Sequence, residues 1–178
     1  MKFLLHLVMF FLLLNNFATA QTLIRDSCKK AAAENPKFKY DFCVKSLEGS
    51  PQSKTAKTLD GLVMASTANA ASKTASLKGI VDKILKEKKY NKESELPLRD
   101  CLQLYSDATD SLNEALTSVK SRDYKTANMV LSAAMNAPTT CETRFKERKT
   151  PQKSPVTKDN DVLYQMISIP LAFTNMPK

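Results

Sequence analysis

Apolar positions recur at helical spacing along almost the whole chain, and no stretch shows the strict apolar–polar alternation of a half-buried strand. From about Thr55 to Lys89, one helical face collects Leu59, Leu62, Val63, Ser66, Ala70, Leu77, Ile80, Ile84 and Leu85. The middle of that segment, residues 65–76, is nearly all Ala, Ser and Thr, which lets a neighbouring helix approach closely. The clearest pattern runs from Leu96 to Lys120, where Leu98, Leu102, Tyr105, Thr109, Leu112, Leu116 and Val119 alternate four and three apart, as in the seam of a bundle helix. Asp123 suits the N-cap of a third helix reaching about Arg148, with Ala127, Leu131, Ala134, Cys141 and Phe145 inward and a kink expected at Pro138. A fourth runs from Thr157 to Phe173, with Val162, Met166, Ile169 and Phe173 inward and Pro170 inside it. Two shorter pieces precede these. Thr22 to Asn35 places Ile24, Cys28, Ala31 and Ala32 together before Pro36, and Lys39 to Leu47 carries Tyr40, Cys43, Val44 and Leu47 before Gly49-Ser50-Pro51. Only Lys149 to Lys158, with Pro151 and Pro155, reads as a linker. Short connections make successive helices antiparallel neighbours. The expected fold is all-α: an up-down-up-down four-helix bundle over residues 55–174, preceded by a helical hairpin over residues 21–50.

The first twenty residues change the picture. Lys2 precedes an apolar run from Phe3 to Leu14, and Ala18-Thr19-Ala20 then offers a small-x-small cut before Gln21, the plan of a secretory signal peptide. The run is short for a membrane span. The expectation is a leader over residues 1–20 and a single secreted domain over residues 21–178. The sole histidine, His6, leaves with the leader, which excludes Ser–His and Cys–His nucleophiles and imidazole-bound zinc. No pair of acids is marked as a catalytic couple, so neither an enzyme nor a cofactor is expected.

All four cysteines lie beyond the cut, and four cysteines in an oxidising compartment allow three pairings. If the turn between the second and third bundle helices lies near Arg122, Cys101 stands 21 residues before it and Cys141 19 after. At about 1.5 Å of rise per residue, both then sit at one height on antiparallel neighbours. That geometry selects Cys101–Cys141 and leaves Cys28–Cys43 to close the hairpin.

Charge is unevenly placed. The formal net charge is +9, from 27 Lys and Arg against 18 Asp and Glu. Lys83, Lys86, Lys88 and Lys89 end the first bundle helix, and Arg144, Lys146 and Arg148 end the third, so both clusters should share one pole. Helix-dipole complementarity accounts for part of this; binding of a polyanion is the functional alternative. Opposite in sign is a stripe on the second helix, where Asp100, Gln103, Asp107, Asp110 and Glu114 recur away from the apolar seam. It is either a solvated helix face or a patch that meets a basic partner.

The sequences Asp100-Cys101-Leu102 with Tyr105 and Leu112, Leu131-Ser132-Ala133-Ala134, Thr140-Cys141-Glu142 with Phe145, and Tyr40-Asp41-Phe42-Cys43-Val44-Lys45-Ser46-Leu47 resemble those of one plant family, the invertase and pectin methylesterase inhibitors. The likeness covers the chain after the leader and is marked toward the basic pollen proteins of the plane-pollen major-allergen type. It implies the same bundle, the same two disulfides, and secretion to the plant cell wall as an inhibitor of a carbohydrate-modifying enzyme. Invertase-blocking members carry a Pro-Lys-Phe motif at the turn that opens the third bundle helix. The matching positions here are Tyr124, Lys125 and Thr126, and the Pro36-Lys37-Phe38 of this chain lies in the hairpin instead. Pectin methylesterase is therefore the expected target and invertase the alternative, with Asp100, Gln103, Asp107, Asp110, Glu114, Tyr124, Lys125 and Thr126 as candidate contacts. A lipid carrier would need a cavity that the Ala- and Ser-rich first helix argues against. Nucleic acid is not expected as a partner because the basic clusters lack interleaved aromatics. A membrane is not expected because no helix pairs a basic face with an exposed apolar one.

Overall fold

A computed structural model describes residues 2–176 of the chain. Its helices are α1 (Lys2–Glu34), α2 (Tyr40–Glu48), α3 (Pro51–Lys54), α4 (Leu59–Glu87), α5 (Glu95–Lys120, led in by a 3-10 turn at Lys92–Ser94), α6 (Tyr124–Lys146) and α7 (Thr157–Thr174). Among the described residues there is no strand. Helices α4 to α7 form the up-down-up-down bundle, each packed on its two neighbours, while α1, α2 and α3 gather at one end against α4 and α7.

Local chemistry sets the ends. Thr58 Oγ1 accepts from Gly61 N at 3.1 Å to cap α4, and Asp123 Oδ1 accepts from Thr126 N at 3.0 Å to cap α6. With only three glycines in the chain, two helices terminate on cations instead: Lys88 after α4 (φ 51°) and Arg122 after α5 (φ 61°) adopt the left-handed conformation. Pro138 and Pro170 stand buried inside α6 and α7, and both helices continue through them. α4 begins at Leu59 rather than near Thr55, after the short α3, and the largest boundary difference is at the start. α1 starts at Lys2 rather than near Thr22, because no proline, glycine or cap separates the apolar leader from the first segment of the hairpin.

Two clusters make up the core. One fills the bundle around Tyr105, Leu112, Leu131, Phe145, Leu163 and Ile167. The other joins Ile24, Cys28, Phe38, Cys43 and Leu47 of the hairpin to Leu62, Val63, Val119, Ile169 and Phe173 at the bundle end. Disulfides Cys28–Cys43 and Cys101–Cys141 connect these elements, with Cα separations of 5.9 and 4.9 Å. The first lies in the hairpin cluster and the second in the bundle cluster.

The buried faces depart from the periodic reading in detail. On α5 the fully buried row is Leu98, Cys101, Tyr105, Ala108, Leu112, Ala115 and Val119, and Leu102, Thr109 and Leu116 lie off it. Small residues at 101, 108 and 115 turn toward the neighbours because they allow close approach; the larger side chains flank the seam. On α7 the inward row is Asn160, Leu163, Ile167, Pro170 and Thr174 with Ile169 and Phe173, whereas Val162 is exposed. Ile80 and Tyr40 are also exposed, and Val81 takes the inward place on α4.

Candidate target-binding face

The acidic stripe lies on the outer side of α5, with none of its five residues buried. Asp100 is drawn between Arg144 of α6 and Arg148 just beyond its end, at 3.8 and 3.9 Å. Gln103 Nε2 donates to Asp107 Oδ1 at 2.7 Å. Among the described residues no cation pairs with Asp107, Asp110 or Glu114, so their negative potential is uncompensated locally.

Beside this stripe, α6 presents a surface that sequence reasoning missed. Met129, Ala133, Asn136, Thr139 and Thr143 lie off its buried row, Met129 being 63% exposed, while Thr139 and Thr143 face toward α7, lining a cavity with Asn160, Asp161 and Tyr164. The signal was present as an absence: no charged residue occurs between Lys125 and Glu142. Glu142 itself turns to α7, where it accepts from Thr157 Oγ1 at 2.8 Å and from Asn160 Nδ2 at 2.7 Å. The α5–α6 side thus pairs an acidic strip with a neutral one that is cheap to desolvate.

Its geometry is fixed from beneath. Tyr105, with no exposed surface, donates from its hydroxyl to Asn160 Oδ1 at 2.6 Å and lies 3.2 Å from Cys141 Sγ. Burial pushes its phenol above the ordinary value, against the pull of the Asn160 bond. This network ties α5, α6 and α7 together at the Cys101–Cys141 disulfide.

At the α5–α6 turn the three candidate residues separate. The Tyr124 hydroxyl donates to Asp60 Oδ2 at 2.6 Å, and that bond to a carboxylate holds the phenol above its ordinary value. Thr126 is held by the Asp123 cap, whose carboxyl is pulled down by that bond. Lys125 alone of the three has no such tether to the fold. In the hairpin, Phe38 is buried in the second core cluster, so Pro36-Lys37-Phe38 is a packed turn.

The two basic clusters share one pole, as α4 and α6 run parallel, but local acids occupy most of them. Lys86 pairs with Asp82 at 2.6 Å, Lys83 and Lys89 pair with Glu87 at 3.8 and 2.7 Å, and Arg144 and Arg148 share Asp100. Among the described residues Lys88 and Lys146 carry no ion pair. Among the described residues no group of His, Cys, Asp and Glu is placed to hold a metal, and no helix is long and apolar enough to cross a membrane.

Comparison with known proteins decides the relationship. The family described as plant invertase/pectin methylesterase inhibitor matches residues 22–173. The chain belongs to that family. Its members are inhibitors of enzymes and not enzymes themselves. The chain is 56% identical over 176 residues, 99% of either protein, to "Pectinesterase inhibitor 12" of Arabidopsis thaliana. It is 40% identical over 179 residues to a Platanus acerifolia protein named "Putative invertase inhibitor", covering 99% of this chain and 98% of that one. Among solved structures, mutant form A of a pectin methylesterase inhibitor from Arabidopsis superposes with a TM-score of 0.66 at 23% identity, over 77% of this chain and 89% of the other, which establishes the family's fold.

Proposed function

We propose that residues 1–20 are removed as a leader and that the remaining domain acts in the plant cell wall as a stoichiometric inhibitor of pectin methylesterase. The full-length identity of 56% to a protein named as a pectinesterase inhibitor carries this reading. The α5–α6 side supports it physically. At about 1.5 Å per residue and a helix diameter of about 10 Å, two helices side by side offer a patch near the ~800 Å² per partner of a standard interface. The face covers the substrate cleft of the target, and the inhibitor contributes no chemistry of its own. Asp107, Asp110 and Glu114 steer it onto a basic surface beside that cleft, while the α6 strip provides close contact. The Cys101–Cys141 disulfide and the Tyr105 network hold the face rigid, so little conformational freedom is lost on binding.

Invertase is the second reading, supported by the relative from Platanus acerifolia named as an invertase inhibitor. Titration of the purified domain into each enzyme separates the two: pectin methylesterase loses activity near a 1:1 ratio and invertase does not. Loss of invertase activity alone overturns the first reading. Acidic pectin remains a candidate for the basic pole through Lys88 and Lys146, with Lys83, Lys86, Lys89, Arg144 and Arg148 available once their intramolecular pairs open. Retention on pectate that is unchanged when Lys86, Lys88 and Lys89 are neutralised refutes that role.

A further inference from the structure

α1 passes through Ala18, Thr19, Ala20 and Gln21 without a break, and Ala20 is 3% exposed. Ala20 and Gln21 line, with Ile24, Glu48 and Lys54, a cavity of about 150 Å³ between α1 and the end of the hairpin. A peptidase acts on unfolded backbone, so a helical and covered bond cannot be the one that is cut. Cleavage before Gln21 must precede closure of the Cys28–Cys43 hairpin.

The cut leaves an ammonium group at the first turn of α1. The place does not suit it. The amide dipoles of a helix start are positive and disfavour a cation. Lys54 lines the same cavity. Glu48, the acid at hand, already pairs with Arg25 at 3.0 Å. The α-amino group titrates near neutrality, so part of it is unprotonated and nucleophilic in a secretory compartment. The new terminal residue is a glutamine, whose own side chain can remove the charge.

We propose that Gln21 is a modification site, closing on itself to a pyroglutamyl (5-oxoproline) terminus once the leader is cut. The inference rests on the cleavage proposed above. The amine nitrogen of Gln21 attacks its own side-chain amide carbon, an N–Cδ bond forms, the Cδ–Nε2 bond breaks, and a proton passes from the amine to the leaving nitrogen, which departs as ammonia. No oxidant or cofactor enters the step. The product is a neutral five-membered ring like that of proline, the residue favoured at the first helical position, where the backbone nitrogen has no partner within the helix. The ring carries no charge beside Lys54 and closes the terminus to aminopeptidases.

The test uses the whole chain, secreted with its own leader from a plant or insect host. Free amines on the intact product are acetylated before trypsin digestion, and the peptide Gln21–Arg25 is weighed. The expected peptide is unacetylated and lighter by one ammonia. An acetylated peptide of full mass overturns the cyclisation and leaves the leader reading standing. A terminal peptide that begins at another residue overturns both. The Gln21→Ala variant, which cannot cyclise, is expected to become acetylated at its terminus; failure to label it refutes the assignment of the block to Gln21.

Discussion

Replacing Tyr105 by phenylalanine keeps the ring in its place and removes one oxygen. Asn160, 2% exposed, then loses the donor to its Oδ1 in a site closed to water. Leaving a buried acceptor unpaired costs about 1–3 kcal/mol. For a domain of this size each kcal/mol lowers the midpoint by about 2–4 °C, so a central value of about 2 kcal/mol corresponds to about 4–8 °C. Urea unfolding with both disulfides intact should show a lower midpoint and an unchanged slope, since the surface exposed on unfolding is the same. Adding Asn160→Leu to Tyr105→Phe removes the orphaned acceptor as well, so the double variant loses less than the sum of the singles. The pH dependence has a definite sign. Burial raises the Tyr105 phenol above its ordinary 10.0 in the fold. Its stabilisation is complete below that value and declines as the pH rises past it, at up to about 1.4 kcal/mol per pH unit. Tyr105→Phe lacks this decline, so the gap between variant and parent narrows above pH ~10. The hydroxyl itself never reaches the surface, so any weakening of inhibition at neutral pH comes through lost rigidity of the face above it. A stability loss under ~0.5 kcal/mol, or strictly additive singles, refutes the buried-acceptor reasoning.

Neutralising Asp107, Asp110 and Glu114 together (Asn, Asn, Gln) should slow association with pectin methylesterase about tenfold at low salt and flatten its salt dependence; stopped-flow rates equal to the parent's contradict the steering role. Serine replacement of Cys28 and Cys43, 15 residues apart, should cost about 3 kcal/mol, and of Cys101 and Cys141, 40 apart, about 4 kcal/mol in the loop-closure picture. Denaturant titration of the two pairs giving the reverse order counts against it. The Asp123 carboxyl is held low by its bond to Thr126, so the stability it adds is present above the ordinary aspartate range and vanishes as the pH falls through the lowered folded value. Asp123→Asn caps without a charge, and its acid unfolding curve should be the shallower of the two.

The bundle and both disulfides were legible because they depend on spacing along one chain: leucines every three or four residues, and two cysteines nearly equidistant from a turn. On α5 the pattern places Leu98, Tyr105, Leu112 and Val119 inward correctly, but at three places it picks Leu102, Thr109 and Leu116 over the residue before each, since periodicity ranks residues by apolarity, whereas packing ranks them by how near a neighbour must come; Cys101, Ala108 and Ala115 win for being small. Val162 on α7 was misplaced for a related reason: apolar residues surround that helix and give no unique side. At the candidate face, the outward placing of Asp107, Asp110 and Glu114 came straight from the pattern. The capture of Asp100 by Arg144 and Arg148, the Tyr124–Asp60 bond and the Tyr105–Asn160–Glu142 chain did not, because each joins residues on different helices whose relative rotation no local rule supplies.

Four bundled rods leave two raw ends, and here the chain stoppers one of them with its own opening segment. Phe173, Ile169, Val119 and Leu62 are shielded at that end by Ile24, Phe38 and Leu47. Trimming the domain to its four long helices would therefore uncork a greasy socket. The minimal unit that stays dispersed in water must begin no later than Ile24.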